Sequence, residues 1–410
     1  MPSGQEARPP PFLDGTPRPA SLSSVVATTS RSPSTSRPTE IRALTGARFF
    51  PVLLIVVFHY HEWYGYTDRY WIDLFVVKGY LWVEFFFSLS GFILYYVYGR
   101  RLAARFDLVA VGAFLAARIS RIYPLQLATL LAALFLELDR RIAASREAGL
   151  SFFDVPPGDG RSVLTFLSDL FMVQAWNLHT NLTWNPPAWF VSAEFFLYLV
   201  CPVLMLLVGT AFGWRSVVLA VASVGLLDAL ASTSGRGLDM SVHNGIFRGL
   251  AEFTIGLSLG ALFVAIRERR APAWSARACT AAQLGVLAAI LAAYIWSGPA
   301  RTSRDLLVAL PIVLLPFVLA FDRGLVADLL KASWLRILGE WAFAIYMVHH
   351  AVLWLLYVGG LLAPSWLGFS VGIGSCILVG GLAWRFIERP LGEAMRRWLV
   401  RGLGLAQRDR

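Results

Sequence analysis

The feature that most constrains this chain is the recurrence of apolar runs about 20 residues long, separated by short stretches that carry most of the charge. A run of this length is what an α-helix needs to cross the hydrocarbon core of a bilayer, which is roughly 30 Å thick. Of the 410 residues, 57% are hydrophobic and 15% are charged, whereas soluble domains carry about 25% charged residues. The sequence therefore predicts an all-α integral membrane protein.

Ten apolar segments follow one another, which predicts a bundle of about ten transmembrane helices. They cover about residues 49–65, 79–98, 122–138, 186–209, 215–232, 246–266, 279–297, 305–321, 338–358 and 368–387. A further stretch at 163–178 is apolar on one side only and is interrupted by Asp169. We expect a short re-entrant or interfacial helix there.

The distribution of arginine predicts the orientation of the bundle. The stretches after the second, sixth and tenth segments are rich in arginine, and the positive-inside rule places such stretches in the cytoplasm. An even number of helices then puts both termini on that side of the cell membrane. Arg301 and Arg304 fall on the opposite side and depart from the rule.

Three regions are expected along the chain. Residues 1–40 are rich in Pro, Ser, Thr and Arg and predict a disordered cytoplasmic tail. Residues 41–393 form the membrane domain, and residues 394–410 form a basic cytoplasmic tail. The net charge of +10 is spread between apolar segments, without a basic face or nucleic-acid-binding signature, so we expect no nucleic-acid partner.

The three cysteines, Cys201, Cys279 and Cys376, each fall within an apolar segment and lack CxxC spacing. They are expected to be small buried side chains, without a disulfide framework or a metal site.

Ionisable residues inside spanning helices are costly, by about 2.5–3.5 kcal/mol on insertion scales, and they usually have a partner or a function. His59 lies eleven positions after Arg48, so helix rise places it roughly 16 Å from the cytoplasmic entry, near the middle of the membrane. His349 and Glu194 reach a similar depth, and Glu84 lies nearer the outer face.

Imidazole and carboxylate groups at one depth are suited to general-base catalysis on a hydroxyl group. The alternative for each is a hydrogen bond between helices that serves packing alone. Helical i,i+4 ligand spacing is lacking, which argues against a metal site.

Arg118 and Arg121 are three residues apart and share one helical face before the third segment. Together with Arg48 they predict a cationic cluster at the cytoplasmic mouth, suited to bidentate binding of phosphate. The alternative is a positive-inside anchor that contacts lipid headgroups.

These residues fall within a set of motifs that resembles acyltransferase family 3 of membrane O-acyltransferases, over about residues 41–393. In order, the motifs are Arg42-Ala-Leu-Thr-Gly-Ala; Arg48 and His59 separated by ten residues; Glu84-Phe-Phe-Phe-Ser-Leu-Ser90-Gly91-Phe92; Arg118 and Arg121 before Tyr123-Pro124; Pro187-Ala-Trp-Phe-Val-Ser-Ala-Glu194-Phe-Phe-Leu-Tyr198; Ile345-Tyr-Met-Val-His349; and Glu388-Arg-Pro390. Glu84 stands where the family usually has Asp.

The resemblance implies a ten-helix bundle that transfers acyl groups, often acetyl, from cytoplasmic acyl-coenzyme A to sugar hydroxyls, without a permanently bound cofactor. It implies catalytic roles for His59 and Glu194, with His59 acting as a base or carrying the acyl group. It further implies donor binding by Arg48, Arg118 and Arg121, and substrate contacts by Glu84, Ser90 and His349. The partners expected are acyl-coenzyme A, a carbohydrate acceptor, membrane lipids and a separate extracytoplasmic protein.

Three hypotheses remain open at this point. The acceptor is a surface polysaccharide or its lipid-linked precursor in the first, and the sugar of a secondary metabolite such as a macrolide in the second. The third is a small-anion transporter that uses the same arginines and histidines, although the sequence lacks the internal repeat that many transporters show.

Overall fold

The computed structural model describes residues 40–64, 70–149, 151, 158–269, 274–362 and 365–402, and over these residues the chain is an all-α bundle. Within this part of the chain, 9 helices are long and apolar enough to cross a membrane, and a shorter apolar helix covers Asp305–Leu319. The prediction of an all-α membrane bundle is confirmed. The predicted N-terminal tail lies outside the described residues, except for Glu40.

The helices follow the predicted apolar segments closely. In chain order they are α1 (Arg42–Ala47), α2 (Phe49–Tyr64), α3 (Tyr70–Val76), α4 (Val83–Ala104), α5 (Leu108–Ala148), α6 (Val163–Leu170), α7 (Ala188–Val208), α8 (Trp214–Thr233), α9 (Gly245–Glu268), α10 (Ala276–Ser297), α11 (Asp305–Leu319), α12 (Leu325–Leu330), α13 (Ser333–Val358), α14 (Trp366–Ala383) and α15 (Arg389–Gly402). Short 3₁₀ turns cover Gly79–Trp82 and Gly158–Gly160.

The helix α5 is much longer than the apolar segment that predicted it. Its 41 residues span roughly 60 Å, about twice the hydrocarbon thickness. Asp107 caps its start by accepting the backbone N–H groups of Val109 and Ala110. Arg118 and Arg121 lie inside α5, although the predicted apolar segment begins only at residue 122. Charged residues end an apolar run but do not have to end a helix.

The last helix also continues past its predicted end. A π-helical turn over Trp384–Glu388 joins α14 to α15, and the helix reaches Gly402. The boundary expected at residue 394 thus falls inside α15, which packs against α5. Apolar runs alone miss this extension, since α15 is strongly charged and has no buried residue.

The stretch expected as a short helix at 163–178 contains α6, which ends at Leu170. Ser162 and Thr165 form a capping box at its start. Asp169 is buried at its end, and this burial raises the pKa of the carboxyl group to about 7. The Gln126 side chain donates to the backbone oxygen of Asp169 and thereby ties α6 to α5.

The centre of the bundle is the α4–α9 pair. In the most apolar stretch of each of these two helices, 67% is buried inside the protein. The same share is 22% for α8 and α10, which lie at the periphery. A Cβ at Gly91 would overlap the carbonyl oxygen of Phe253, and one at Gly256 would overlap the carbonyl oxygen of Ser88. Small residues thus allow the two backbones to approach closely, as is common between membrane helices. This contact fixes Ser90 in the interior.

Candidate active site

A cavity of ≈ 110 Å³ at one end of the bundle is lined by five of the residues singled out from the sequence. These residues are Arg48, Ser90, Arg118, Arg121 and Glu194. They come from the α1–α2 junction and from α4, α5 and α7, so the cavity depends on the packing of distant segments. We refer to it as the arginine cavity.

The three arginines give this cavity a positive charge that protein groups only partly offset. The guanidinium of Arg121 lies 3.8 Å from Glu388. Among the described residues, neither Arg48 nor Arg118 forms a salt bridge. The buried Nε of Arg118 also lacks a hydrogen-bond partner there, although the guanidinium lies 5.8 Å from the centre of the Tyr98 ring. An anion with several oxygens, such as a phosphate, matches such a set of donors.

Glu194 forms the acidic side of the arginine cavity. Its Oε1 accepts hydrogen bonds from Ser90 Oγ at 3.1 Å and from Tyr198 Oη at 2.5 Å. Phe190, Glu194 and Tyr198 follow at intervals of four residues and line the cavity from one face of α7. The expected partner for the buried carboxylate is therefore present within its own motif.

A second group of residues surrounds His59. The ring centroid of His59 lies 5.0 Å from that of His349 and 6.1 Å from that of His350. His59 Nδ1 lies 3.3 Å from a carboxylate oxygen of Glu62, one turn later on α2. His59 and His349 thus lie beside each other, and we call His59, Glu62, His349 and His350 the histidine cluster.

A chain of ion pairs holds Glu62 in place. Arg301 donates to Glu62 Oε1 at 2.9 Å through one nitrogen and to Asp239 through another. Its guanidinium also lies over the rings of Phe58 and Tyr80, at 5.7 and 5.4 Å. Arg301, which departs from the predicted positive-inside pattern, thus has two carboxylate partners.

Glu62 and Asp239 were not singled out from the sequence, and Arg301 was noted only as a departure from the positive-inside rule. The His59-Tyr-His-Glu62 spacing could have indicated Glu62, because residues three apart share a helical face. Arg301 and Asp239 lie 62 residues apart, and no local pattern connects them.

Tyr346 separates the arginine cavity from the histidine cluster. Its ring lines the cavity and lies 5.4 Å from the Phe190 ring on one side and 5.7 Å from the His349 ring on the other. We also expect Glu194 to line the acceptor pocket, orienting His59 or a sugar hydroxyl, and this stays a prediction. Glu62 takes the position beside His59, and Glu194 is bound by Ser90 and Tyr198.

Glu84, predicted to contact substrate, lies in neither group. It forms a buried ion pair with Arg248, whose Nη2 lies 2.6 Å from Glu84 Oε1, and both side chains are at most 1% exposed. The sequence showed an unexplained carboxylate because its partner stands 164 residues later, on α9. The geometry gives Glu84 a role in helix packing in place of substrate binding.

Comparison with known proteins gives a consistent result. Residues 41–385 match the family model Acyl_transf_3, described as an acyltransferase domain. The chain is similar to acyltransferase MdmB of Streptomyces mycarofaciens, with 28% identity over 403 residues that cover 88% of this chain and 94% of that protein. It is also similar to protein 2 in the picA locus of Rhizobium radiobacter, with 32% identity over 172 residues, 37% of this chain and 82% of that protein. No solved structure matches.

Proposed function

Since the chain belongs to the Acyl_transf_3 family of acyltransferase domains, it is a multi-pass membrane acyltransferase, and we propose that it transfers an acetyl group from acyl-coenzyme A to a sugar hydroxyl. The observation that carries this proposal is the placement of Tyr346 between a cavity with three arginines and a cluster of histidines. One group is suited to an anionic donor and the other to a hydroxyl acceptor.

The arginine cavity supports binding of the donor. Arg48, Arg118 and Arg121 hold the phosphates of acyl-coenzyme A at the cytoplasmic end. The volume of ≈ 110 Å³ is well below the roughly 300–1,000 Å³ of pockets that enclose a whole ligand. The cavity therefore holds the phosphate groups beside the arginines but not the whole coenzyme. The pantetheine arm then carries the thioester past Tyr346 toward the histidine cluster.

The pair of His59 and Glu62 supports activation of the acceptor. A carboxylate beside Nδ1 keeps a proton on that nitrogen and leaves the Nε2 lone pair free, the arrangement that a general base requires. His59 takes the proton of the acceptor hydroxyl as the oxygen attacks the thioester carbonyl. The C–S bond breaks, and coenzyme A leaves as a thiolate. Transient acylation of His59 is the second route that the same nitrogen allows.

The acceptor is a surface polysaccharide or its lipid-linked precursor, reached from the outer side of the cell membrane, and both termini lie in the cytoplasm. The sugar of a secondary metabolite such as a macrolide is the alternative acceptor. Membrane lipids surround the bundle, and a separate extracytoplasmic protein is expected to act after the transfer.

The proposal is tested in membranes that contain the full chain, supplied with [14C]acetyl-coenzyme A. Label is followed into extracted surface glycans and into added erythromycin A, a glycosylated macrolide. Wild-type membranes should label one of these acceptors, while His59→Ala should reduce labelling by at least about 10²-fold at equal protein abundance. Equal labelling by the two proteins would refute the proposal. When no acceptor is added, label can stay on the protein after acid treatment. Such acid-stable label would not support an acyl-histidine intermediate, because acyl-histidine is labile.

A further inference from the structure

The protonation pattern of His349 follows from one hydrogen bond. Its Nδ1 lies 2.6 Å from the backbone oxygen of Tyr346. A carbonyl oxygen only accepts hydrogen bonds, so Nδ1 carries the proton and the neutral ring presents a lone pair at Nε2. The spacing of three residues within α13 sets this contact, which therefore belongs to the helix itself.

The Nε2 atom of His349 is buried and accepts no hydrogen bond from any described residue. The whole side chain is 0% exposed. A buried acceptor without a donor is unfavourable, and such atoms are few in folded proteins. The position of the ring indicates which group could donate a hydrogen bond to this nitrogen.

His349 lies between the two halves of the site. On one side its ring contacts Tyr346, which lines the arginine cavity, and on the other it contacts His59. Among the ring contacts of the described residues, Tyr346 touches His349 and not His59. An acceptor hydroxyl that attacks a thioester beside Tyr346 would therefore lie next to His349.

We infer that Nε2 of His349 directly accepts the proton of the acceptor hydroxyl and passes it to His59, which Glu62 stabilises in its charged form. This inference rests on the proposed acyl transfer. It makes His349 a proton acceptor in the reaction, whereas the sequence analysis expected it only to contact the substrate.

The relay moves one proton from the acceptor hydroxyl to the coenzyme A thiolate, while the acyl group moves in the opposite direction. The O–H bond of the acceptor breaks as its proton moves to Nε2 of His349, and the oxygen forms a bond to the acyl carbon. The C–S bond breaks, and its electron pair leaves with the coenzyme A thiolate. The proton then moves from His349 to Nε2 of His59 and is finally released to neutralise the thiolate. Meanwhile Nδ1–H of His349 stays bound to Tyr346.

The test uses two substitutions with different geometry. In His349→Asn the amide nitrogen can still donate to the Tyr346 carbonyl, but no group remains at the Nε2 position. In His349→Gln the amide reaches the Nε2 position but cannot accept a proton. His243→Asn is the matched control, because His243 is an exposed histidine outside both the arginine cavity and the histidine cluster.

The full-length protein in nanodiscs is assayed with [14C]acetyl-coenzyme A and two acceptor probes, octyl β-D-glucopyranoside and erythromycin A. Both His349 variants should lower kcat at least about 10²-fold and leave KM for acetyl-coenzyme A within about twofold. The His243 variant should stay within about threefold of wild type. A second measurement is independent of activity and uses ¹⁵N NMR of protein labelled at histidine. The His349 signal is assigned by its loss in His349→Asn, and it should show the tautomer with the proton on Nδ1.

A kcat for His349→Asn within about threefold of wild type, while His59→Ala is inactive, would overturn the relay and leave the proposed function intact. An Nε2–H tautomer for His349 would also overturn it. Loss of folded protein with unchanged kcat per folded molecule would assign His349 a structural role only. Full activity in both His59→Ala and His349→Asn would instead refute the proposed function.

Discussion

Arg248 and Glu84 form an ion pair in which Nε lies 3.1 Å from both carboxylate oxygens, and both side chains are shielded from solvent. Arg248 also donates to the backbone oxygens of Met240 and Tyr80, so the pair connects α9 to the start of α4. Both charges lie in the low-dielectric centre of the bundle, where water cannot replace the other member of the pair.

Glu84→Gln should destabilise the protein, but by less than the roughly 3–5 kcal/mol expected for an unpaired buried charge, because the buried carboxylate of Glu252 remains 3.6 Å from Arg248 Nε. Thermal unfolding in detergent measures the change. The double variant Glu84→Gln, Arg248→Met should recover much of the loss, since it removes both charges. An unaltered melting temperature in the single variant would contradict this account of the pair.

Replacing Arg121 by Lys should raise KM for acetyl-coenzyme A by about tenfold, because lysine keeps the charge but lacks the planar fork that binds two phosphate oxygens. Arg397→Lys, on the exposed face of α15, is the control and should leave KM unchanged. Steady-state kinetics on reconstituted protein measures both. A fall in protein abundance with normal KM would assign Arg121 to membrane anchoring.

Glu62→Gln should lower kcat by about 10- to 100-fold, equivalent to the loss of one hydrogen bond to a charged group. The amide no longer selects the Nδ1–H form of His59 and no longer stabilises its charge. Glu62→Asp should recover part of the rate, which distinguishes orientation of His59 from simple packing. Identical rates for wild type and Glu62→Gln would show that His59 acts without this carboxylate.

The buried carboxyl of Asp169 predicts a dependence of stability on pH. Its pKa is raised by burial from 3.8 to about 7, so the folded state holds a proton that the unfolded state releases between these values. Stability contributed by this group therefore falls as pH rises from about 4 to about 7 and is constant above. Thermal unfolding should show a smaller loss between pH 5 and pH 8 in Asp169→Asn than in wild type. Parallel curves for the two proteins would contradict the burial effect.

The sequence predicted the membrane bundle well because apolar run length reports directly on helices that cross a bilayer. It also selected Arg48, Arg118, Arg121, Ser90 and Glu194, which the fold brings to one cavity. It could not assign partners, since Glu84 pairs with a residue on α9 and Glu62 with one beyond α10. Helix rise predicts how far a residue lies along its own helix but not its position around the bundle, so the contacts of Tyr346 with Phe190 and His349 could not be predicted.

The ring of Tyr346 has a consequence for the membrane itself. The arginine cavity ends against the packed rings of Phe190 and Tyr346, and the histidines begin beyond them. In the proposed reaction, an anionic donor on one side and an acceptor on the other would meet beside these aromatic side chains. The acyl group would then change sides by exchanging one covalent bond for another, and the transfer itself would require no ion to cross the bilayer.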